Sequence, residues 1–530
     1  MLIQRVEDSL NEKMDDLNID NDIRSLIPFS KMLNMDISID KLLNYLEKDK
    51  KILVVGDYDV DGIVATTIFK QFFTDHPELP SELSFFIPDR IKHGYGISPL
   101  IMDMAKEQNV DLVITVDNGI SAVPAIERAK ELGIDIIITD HHTVPTIKPD
   151  LDTMVNPKLD NNLSFQDISG ATVAWSFLFA LNQKLKTQLN MAKYLDLVAL
   201  TVLSDVMPLQ NVNRTILSYG MNKIKHNSRE VYNKVFSQDQ RNHITSSDIS
   251  FNLVPKLNAT GRLNNANKGV KLFLENNVDS ILSEINYINE DRKMKTDIML
   301  KLILPLAEKE VKAGKKIIVV HHPELHEGII GILASRIVEK FQLPTIVLTS
   351  HDGVFKGSAR SIGDIHLYNL LNQHSELMLG FGGHKGAAGL SITKENLSLF
   401  KRRLNSSMKK DYSDEDYISN VYSFDIDNLT QLNMELAKKL HSYEPFGEQF
   451  EKPKFLIKNA MITNIIKNKE NKHYLCEITD SFGNTQSTWF FHFSDDMKAL
   501  LNQEMNILVD VGINFWNGNQ NLSLISKIYI

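Results

Sequence analysis

Apolar residues change their period three times along this chain. Residues 1–50 carry them at helical spacing, as in Ile39, Leu42, Leu43 and Leu46, which predicts helices that cover whatever follows. From residue 51 the pattern becomes short, β-branched, uninterrupted runs at 51–55, 83–88, 111–116 and 134–139, with helical stretches such as 63–73 between them. Continuous apolarity over five or six residues marks a strand covered on both faces. The alternation of strand and helix predicts a parallel, doubly wound α/β sheet whose site lies at the carboxyl ends of the strands. A segment apolar nearly all round, 194–209, reads as a buried helix ending near Pro208, and 278–312 as one long helix with a charged, solvated face. Strands at 316–321 and 345–348 and a helix at 329–341 form a second, smaller α/β region. From residue 422 the period drops to two, with strands at 455–458, 473–479, 487–493, 506–511 and 522–526, an all-β module of OB-fold type. The domains expected are 1–277, 278–312, 313–415 and 420–530.

Composition narrows the class. At 530 residues, 43% hydrophobic and 24% charged, the chain is too long for one core and too apolar for disorder. The lone cysteine, Cys476, excludes an internal disulfide framework and any Cys-rich zinc site, as suits a reducing, cytoplasmic compartment. No signal-type or membrane-spanning run is present in the sequence. A net charge of −9 decides nothing about nucleic acid, since phosphate binding depends on where Lys and Arg cluster.

The chemistry begins at Gly56-Asp-Tyr-Asp-Val-Asp-Gly62, where the first strand opens into Asp57, Asp59 and Asp61. In extended backbone these three would share one side, and divalent cations such as Mg²⁺ or Mn²⁺ are the ordinary means of keeping such acids ionised together. An EF-hand is excluded because its twelfth position is Ile68 rather than Glu. A solvated acidic turn is the plain alternative. It loses ground because two more strands end alike, one in Asp117-Asn-Gly119 and one in Asp140-His141-His142, and three such ends are hard to explain as helix caps. Asp205 adds a carboxylate at the end of the apolar helix, where it opposes the helix dipole unless a cation sits beside it. The basic loop 89–96, with Arg90, and the glycine-rich stretches 357–361 and 380–386 offer amides, hydroxyls and cations together. They suit a phosphate nest or plain turns.

GDYDVDG, VDNG, TDHH and the Asp205 helix resemble the four motifs of the DHH phosphoesterase superfamily. Pro255-Lys-Leu-Asn-Ala-Thr-Gly-Arg262, the segments 327–336 and 356–361, and Gly382-Gly-His-Lys-Gly-Ala-Ala-Gly389 are similar to the RecJ single-strand-specific exonucleases and their DHH-associated domain. The resemblance implies a DHH catalytic domain, a connecting helix, a DHH-associated domain and a C-terminal OB-fold. It departs from the usual pattern at Thr201-Val202, Leu325-His326 and Gln449-Phe450 and spares every expected ligand.

What the resemblance implies for function is two-metal hydrolysis of single-stranded DNA from the 5′ end to mononucleotides, in repair and recombination. Two Mn²⁺ or Mg²⁺ ions would be held by Asp59, Asp61, Asp117, His141 and Asp205, with Asp117 bridging and Asp57 and His142 behind them. His142 could also touch the scissile phosphate. Arg90, Arg262, Ser358, Arg360 and His384 would grip substrate phosphates. Trp489, Phe491 and Trp516 could stack on bases or fill the barrel core. Expected partners are single-stranded DNA, a single-strand-binding protein and a RecQ-type helicase, with the chain a monomer away from membranes. The alternatives are an oligonucleotide or cyclic-dinucleotide phosphodiesterase and a non-catalytic DNA-binding scaffold. A scaffold would have shed ligands that this chain keeps, and a pyrophosphatase would carry His where Val55 stands.

Overall fold

The structure is a computed structural model. It describes residues 1–530 apart from 1, 20–21, 78, 80–82, 91, 95, 227–228, 264, 352, 419–420, 470–472, 492–496, 517 and 530. The chain forms two compact units, one of residues 1–258, 266–282 and 422–530, the other of 259–265 and 283–421.

In the first unit, β1 (Ile52–Val55), β2 (Leu83–Phe86), β3 (Leu112–Val116), β4 (Asp135–Thr139) and β5 (Met154–Val155) form one parallel sheet in the order β2-β1-β3-β4-β5. All residues of β1 and β3 are buried, as their unbroken apolarity demands. The order reverses between β1 and β3, and a sheet of this kind opens its ligand crevice at that switch, beyond the strands' carboxyl ends. Leu53, Val55, Val113, Ile136 and Ile138 lead one core under the helices Pro99–Glu107 and Val123–Leu132.

Also in this unit, β11 (Ser423–Ile426), β12 (Lys454–Lys469), β13 (His473–Thr479), β14 (Thr485–Phe490), β15 (Glu504–Trp516) and β16 (Asn519–Tyr529) form a six-stranded sheet. Pairing of β12 with β15 closes it into a barrel. The barrel packs on the α/β domain. His243 stacks face to face on Phe515 with ring centroids 3.8 Å apart, and Arg214 donates to the Tyr443 carbonyl at 2.7 Å while lying over the Phe450 ring. Strand β14 stops at Phe490, short of the expected 493; Phe493, Asn517 and the side chain of Trp516 lie outside the described residues. Trp489 and Phe491 stack at 5.6 Å, with Phe491 half exposed.

The second unit holds most of the long helix Val278–Lys312 and a mixed sheet ordered β6-β7-β8-β10-β9, built from β6 (Ile318–His321), β7 (Thr345–His351), β8 (Val354–Arg360), β9 (Met378–Gly383) and β10 (Ala387–Thr393). Here the sequence misled. The stretch 357–361 expected as a glycine-rich turn runs mostly in a central strand, and 380–383 belongs to a paired edge strand. The backbone amides of β8 therefore serve its two ladders rather than a nest, and β9 is tied on one side only. Glycines in these strands leave open surface, since a Cβ at Gly380 or Gly382 would meet nothing within 4 Å.

Candidate metal centre

The first acidic motif sits where a strand hands over to a helix. Asp57 follows β1, Asp59 is the N-cap of helix Val60–Thr74, and Asp61 lies in its first turn. The three carboxylates are thus gathered by a tight turn, not by extended alternation as expected. Gly62 makes that turn possible, because a Cβ there would stand 2.4 Å from the Asp57 backbone nitrogen and oxygen. Asp59 Oδ1 accepts from the amides of Asp61 and Gly62 at 3.0 and 3.1 Å. Asp61 reaches across to helix Gly170–Leu185, where Gly170 N donates to Oδ2 and Ala171 N to Oδ1, each at 2.7 Å.

Asp117 follows β3 with φ 65°, a left-handed conformation that aspartate tolerates better than most side chains. Its amide donates to the Thr139 carbonyl at 2.9 Å. The neighbouring Asn118 ties its amide to the carbonyls of Val55 and Val116 at 3.0 Å, joining the ends of β1 and β3. His141 and His142 follow β4. Asp205 was expected inside the last helical turn, but helix Leu195–Ser204 stops one residue earlier and Asp205 is its C-cap.

These side chains converge. His141 Nε2 lies 3.3 Å from Asp117 Oδ1, 3.4 Å from Asp205 Oδ2 and 3.6 Å from Asp61 Oδ2. Among the described residues, three sets able to hold an ion have ligand atoms within 4.8 Å of one another: Asp57, Asp59 and Asp117; Asp61, His141 and Asp205; and Asp117, His141 and His142. Asp117 belongs to two of them. Asp57, expected behind the ligands, is here a direct candidate, with its buried Oδ1 lacking any hydrogen-bond partner.

The electrostatics call for a cation. Burial first, and then the neighbouring carboxylates, raise the pKa of Asp57, Asp59, Asp61 and Asp117 above the usual carboxylate range. Burial lowers His141 to about 4 against the pull of Asp205, so its imidazole is neutral and able to ligate. An orphaned carboxylate oxygen, a neutral imidazole and crowded acids form an oxygen-and-nitrogen donor set that fits Mn²⁺ or Mg²⁺.

Asp140 behaves in the opposite way, and its role was not read from the sequence. It accepts from Ile120 N at 2.8 Å, His141 N at 2.7 Å, His142 N at 3.1 Å and His142 Nδ1 at 2.7 Å. Burial alone would raise its pKa, yet His142 and these donors hold it well below the usual range. Burial would likewise depress His142, but the Asp140 carboxylate prevails and pushes it up to about 9. The only sequence signal was its place in the TDHH string.

Of the expected phosphate ligands, only Arg90 lies in this unit, its guanidinium 5.1 Å from the centre of the Tyr58 ring. The neighbouring Ile91 and Tyr95 of that loop lie outside the described residues. Arg262, Ser358, Arg360 and His384 belong to the second unit. There Arg360 Nη1 donates to Ser358 Oγ at 3.0 Å, and both side chains line Gly331 in the first turn of helix Ile330–Phe341. Gly328, just ahead of that helix, packs against the Arg262 carbonyl. His384 stands apart on the exposed turn between β9 and β10, its amide donating to Ala387 O at 2.8 Å.

Comparison with known proteins identifies the family of the chain. Residues 51–202 match the DHH family N-terminal domain, 314–410 the DHHA1 domain and 426–527 the RecJ OB domain. The single-stranded-DNA-specific exonuclease RecJ of Salmonella typhimurium is 32% identical over 466 residues, covering 82% of this chain and 80% of the relative. RecJ from Thermus thermophilus in complex with Mn²⁺ superposes with a TM-score of 0.76 at 26% identity, over 93% of this chain and 71% of that one. Its complex with Mg²⁺ gives 0.71 at 25% identity, over 97% and 71%. With three matched domains in order and a relative at this identity over most of both lengths, the chain belongs to the RecJ family.

Proposed function

We propose that this chain is a single-stranded-DNA-specific exonuclease that uses two divalent cations to release mononucleotides from the 5′ end, in DNA repair and recombination. The convergence of Asp57, Asp59, Asp61, Asp117, His141 and Asp205 from three strand ends and one helix end carries the reading. Asp59, Asp61, Asp117, His141 and Asp205 are assigned to hold two Mn²⁺ or Mg²⁺ ions, with Asp57 added by its orphaned oxygen and Asp117 shared between the two. Bound there, such ions activate water and offset charge building on the phosphodiester.

The chain's own groups do the rest. Asp117, fixed in a left-handed backbone conformation, holds its carboxylate without needing to reorganise. Asp140 clamps His142 through Nδ1 and keeps it charged, leaving Nε2 as a donor for a phosphate oxygen or the leaving group. Arg90, Arg262, Ser358, Arg360 and His384 are assigned to substrate phosphates, where guanidinium groups suit paired contacts. The stacked Trp489 and Phe491 on the barrel offer a platform for bases further along. By the family reading, the enzyme works as a monomer in the cytoplasm beside a single-strand-binding protein and a RecQ-type helicase. Among the described residues no helix is long and apolar enough to cross a membrane.

The test is Mn²⁺-dependent digestion of single strands labelled at either end, with duplex, RNA and cyclic-dinucleotide arms. Early release of a 5′-labelled mononucleotide from single strands is expected. Early release of the 3′ label would reverse the polarity, and preferential turnover of the cyclic dinucleotide would overturn the assignment.

A further inference from the structure

The end of the helix that carries Asp205 breaks a local rule. Helix Leu195–Ser204 closes with Met207 N donating to Val202 O at 2.9 Å and Val206 N to Leu203 O at 3.4 Å. That pattern places the intervening residue in the left-handed region, which glycine or asparagine ordinarily fills because a Cβ crowds the carbonyl there. Here it is Val206, at φ 52°. A β-branched side chain is among the least suited to that conformation. Its side chain is 61% exposed, so packing within the chain does little to offset the strain. Strain kept at the edge of a functional site points to a task for the side chain outside the chain.

Position suggests the task. Val206 follows Asp205 directly, and consecutive Cα atoms stand only about 3.8 Å apart. Within the metal centre, Asp61, Asp117 and His141 are closed off, while the side chains of Asp205 and His142 are 31% and 36% exposed. The open part of the centre is thus formed by Asp205 and His142, and Val206 is bonded to the first of them. The group bonded to a phosphate on either side is the sugar, whose C2′ is a methylene in DNA and carries a hydroxyl in RNA. An isopropyl group packs against the methylene freely but strips water from a hydroxyl and offers it no partner. We propose that Val206 is a specificity residue that contacts the sugar beside the scissile phosphate and favours deoxyribose over ribose. This rests on the nuclease reading above and names a feature of its substrate.

The experiment uses the full chain, with V206G and V206I compared with wild type. DNA and RNA single strands of one sequence are digested with Mn²⁺ at enzyme excess, so that slow RNA cleavage is read, and thermal melting is followed in parallel. Glycine relieves the strained conformation, so V206G is expected to melt at or above the wild-type temperature. Its DNA-over-RNA ratio of kcat/KM is expected to fall roughly tenfold, the scale of a lost apolar contact, while V206I keeps the ratio. An unchanged ratio in V206G, an equal loss on both substrates, or a wild type indifferent to the sugar would overturn the inference. A wild type that leaves DNA single strands intact would instead overturn the nuclease reading itself.

Discussion

Gly170→Ala is the sharpest probe of the metal centre, because it adds one methyl group and removes no ligand. A Cβ at Gly170 would stand 2.2 Å from Asp117 Oδ1, 2.6 Å from its Cγ and 2.7 Å from its Cβ. Carbon and oxygen that are not bonded approach to about 3.3 Å, so something must give by about 1 Å. Both sides are pinned. Asp117 is held by its left-handed backbone and its bond to Thr139 O, and the first turn of helix Gly170–Leu185 is tied through two amides to Asp61. Yielding on the first side moves the carboxylate shared by two ion sets. Yielding on the second moves Asp61.

A misplacement of about 1 Å near reacting groups costs roughly a hundredfold in rate, and disturbed metal ligation typically costs about 10 to 100-fold in affinity. The fold itself has little reason to suffer. Gly170 has no positive φ, so alanine strains no backbone there and the cost to the fold is confined to an overpacking penalty of about 1–3 kcal/mol. Calorimetric Mn²⁺ titration and single-turnover digestion of labelled DNA should therefore show large losses in a protein whose circular dichroism and melting stay close to wild type. Wild-type rates and wild-type Mn²⁺ affinity in G170A would refute the claim that Asp117 is held in place from this side.

Other substitutions test separate parts of the chain. Arg229 Nε donates to the buried Asp196 Oδ2 at 2.6 Å, so D196A strands a guanidinium and should lower stability by about 3–5 kcal/mol in urea unfolding; an unchanged midpoint would deny the pair any weight. Burial raises the pKa of Glu444, whose Oε2 accepts from Ser246 and Phe446. A carboxyl raised on folding stabilises below its unfolded value and loses that contribution as pH climbs through its folded one, so wild type should lose stability relative to E444Q as pH rises above the ordinary carboxylate value of about 4. Arg360→Ala should weaken single-strand binding and make its salt slope shallower by about 0.7 per lost phosphate contact; an unaltered slope counts against a phosphate grip.

The sequence revealed the sheet because strands buried on both faces leave unbroken apolar runs, and the acids at the ends of three of those runs marked the candidate site. The resemblance to the DHH motifs then singled out Asp59, Asp61, Asp117, His141 and Asp205 as its expected ligands. Their spatial relations were less legible. Extended alternation predicted that Asp57, Asp59 and Asp61 would share one side, whereas a helix begins at Val60 and divides them between turn and helix. The glycines at 357 and 380–383 looked like turns because pairing partners far along the chain are invisible locally, and β10 supplies the ladder for both strands. Val206 carried no signal at all, since a valine after an apolar helix looks ordinary until its φ is known.

What separates a structural acid from a metal-binding one here is the number of donors each already has. Asp140 lies at the same edge of the sheet and as deeply buried as Asp57, Asp61 and Asp117, yet it meets three backbone amides and an imidazole, and its charge is satisfied without help. Asp61 meets two amides and Asp59 two, which fix their direction but leave lone pairs open. Asp57 has an oxygen with no partner. The rise in pKa across these residues measures charge that the protein alone leaves uncompensated. A fold that ties the backbone around each carboxylate while leaving its outer lone pairs unmet has placed its deficit where two cations can enter, and Asp140 shows that the same strand ends could have closed it with amides instead.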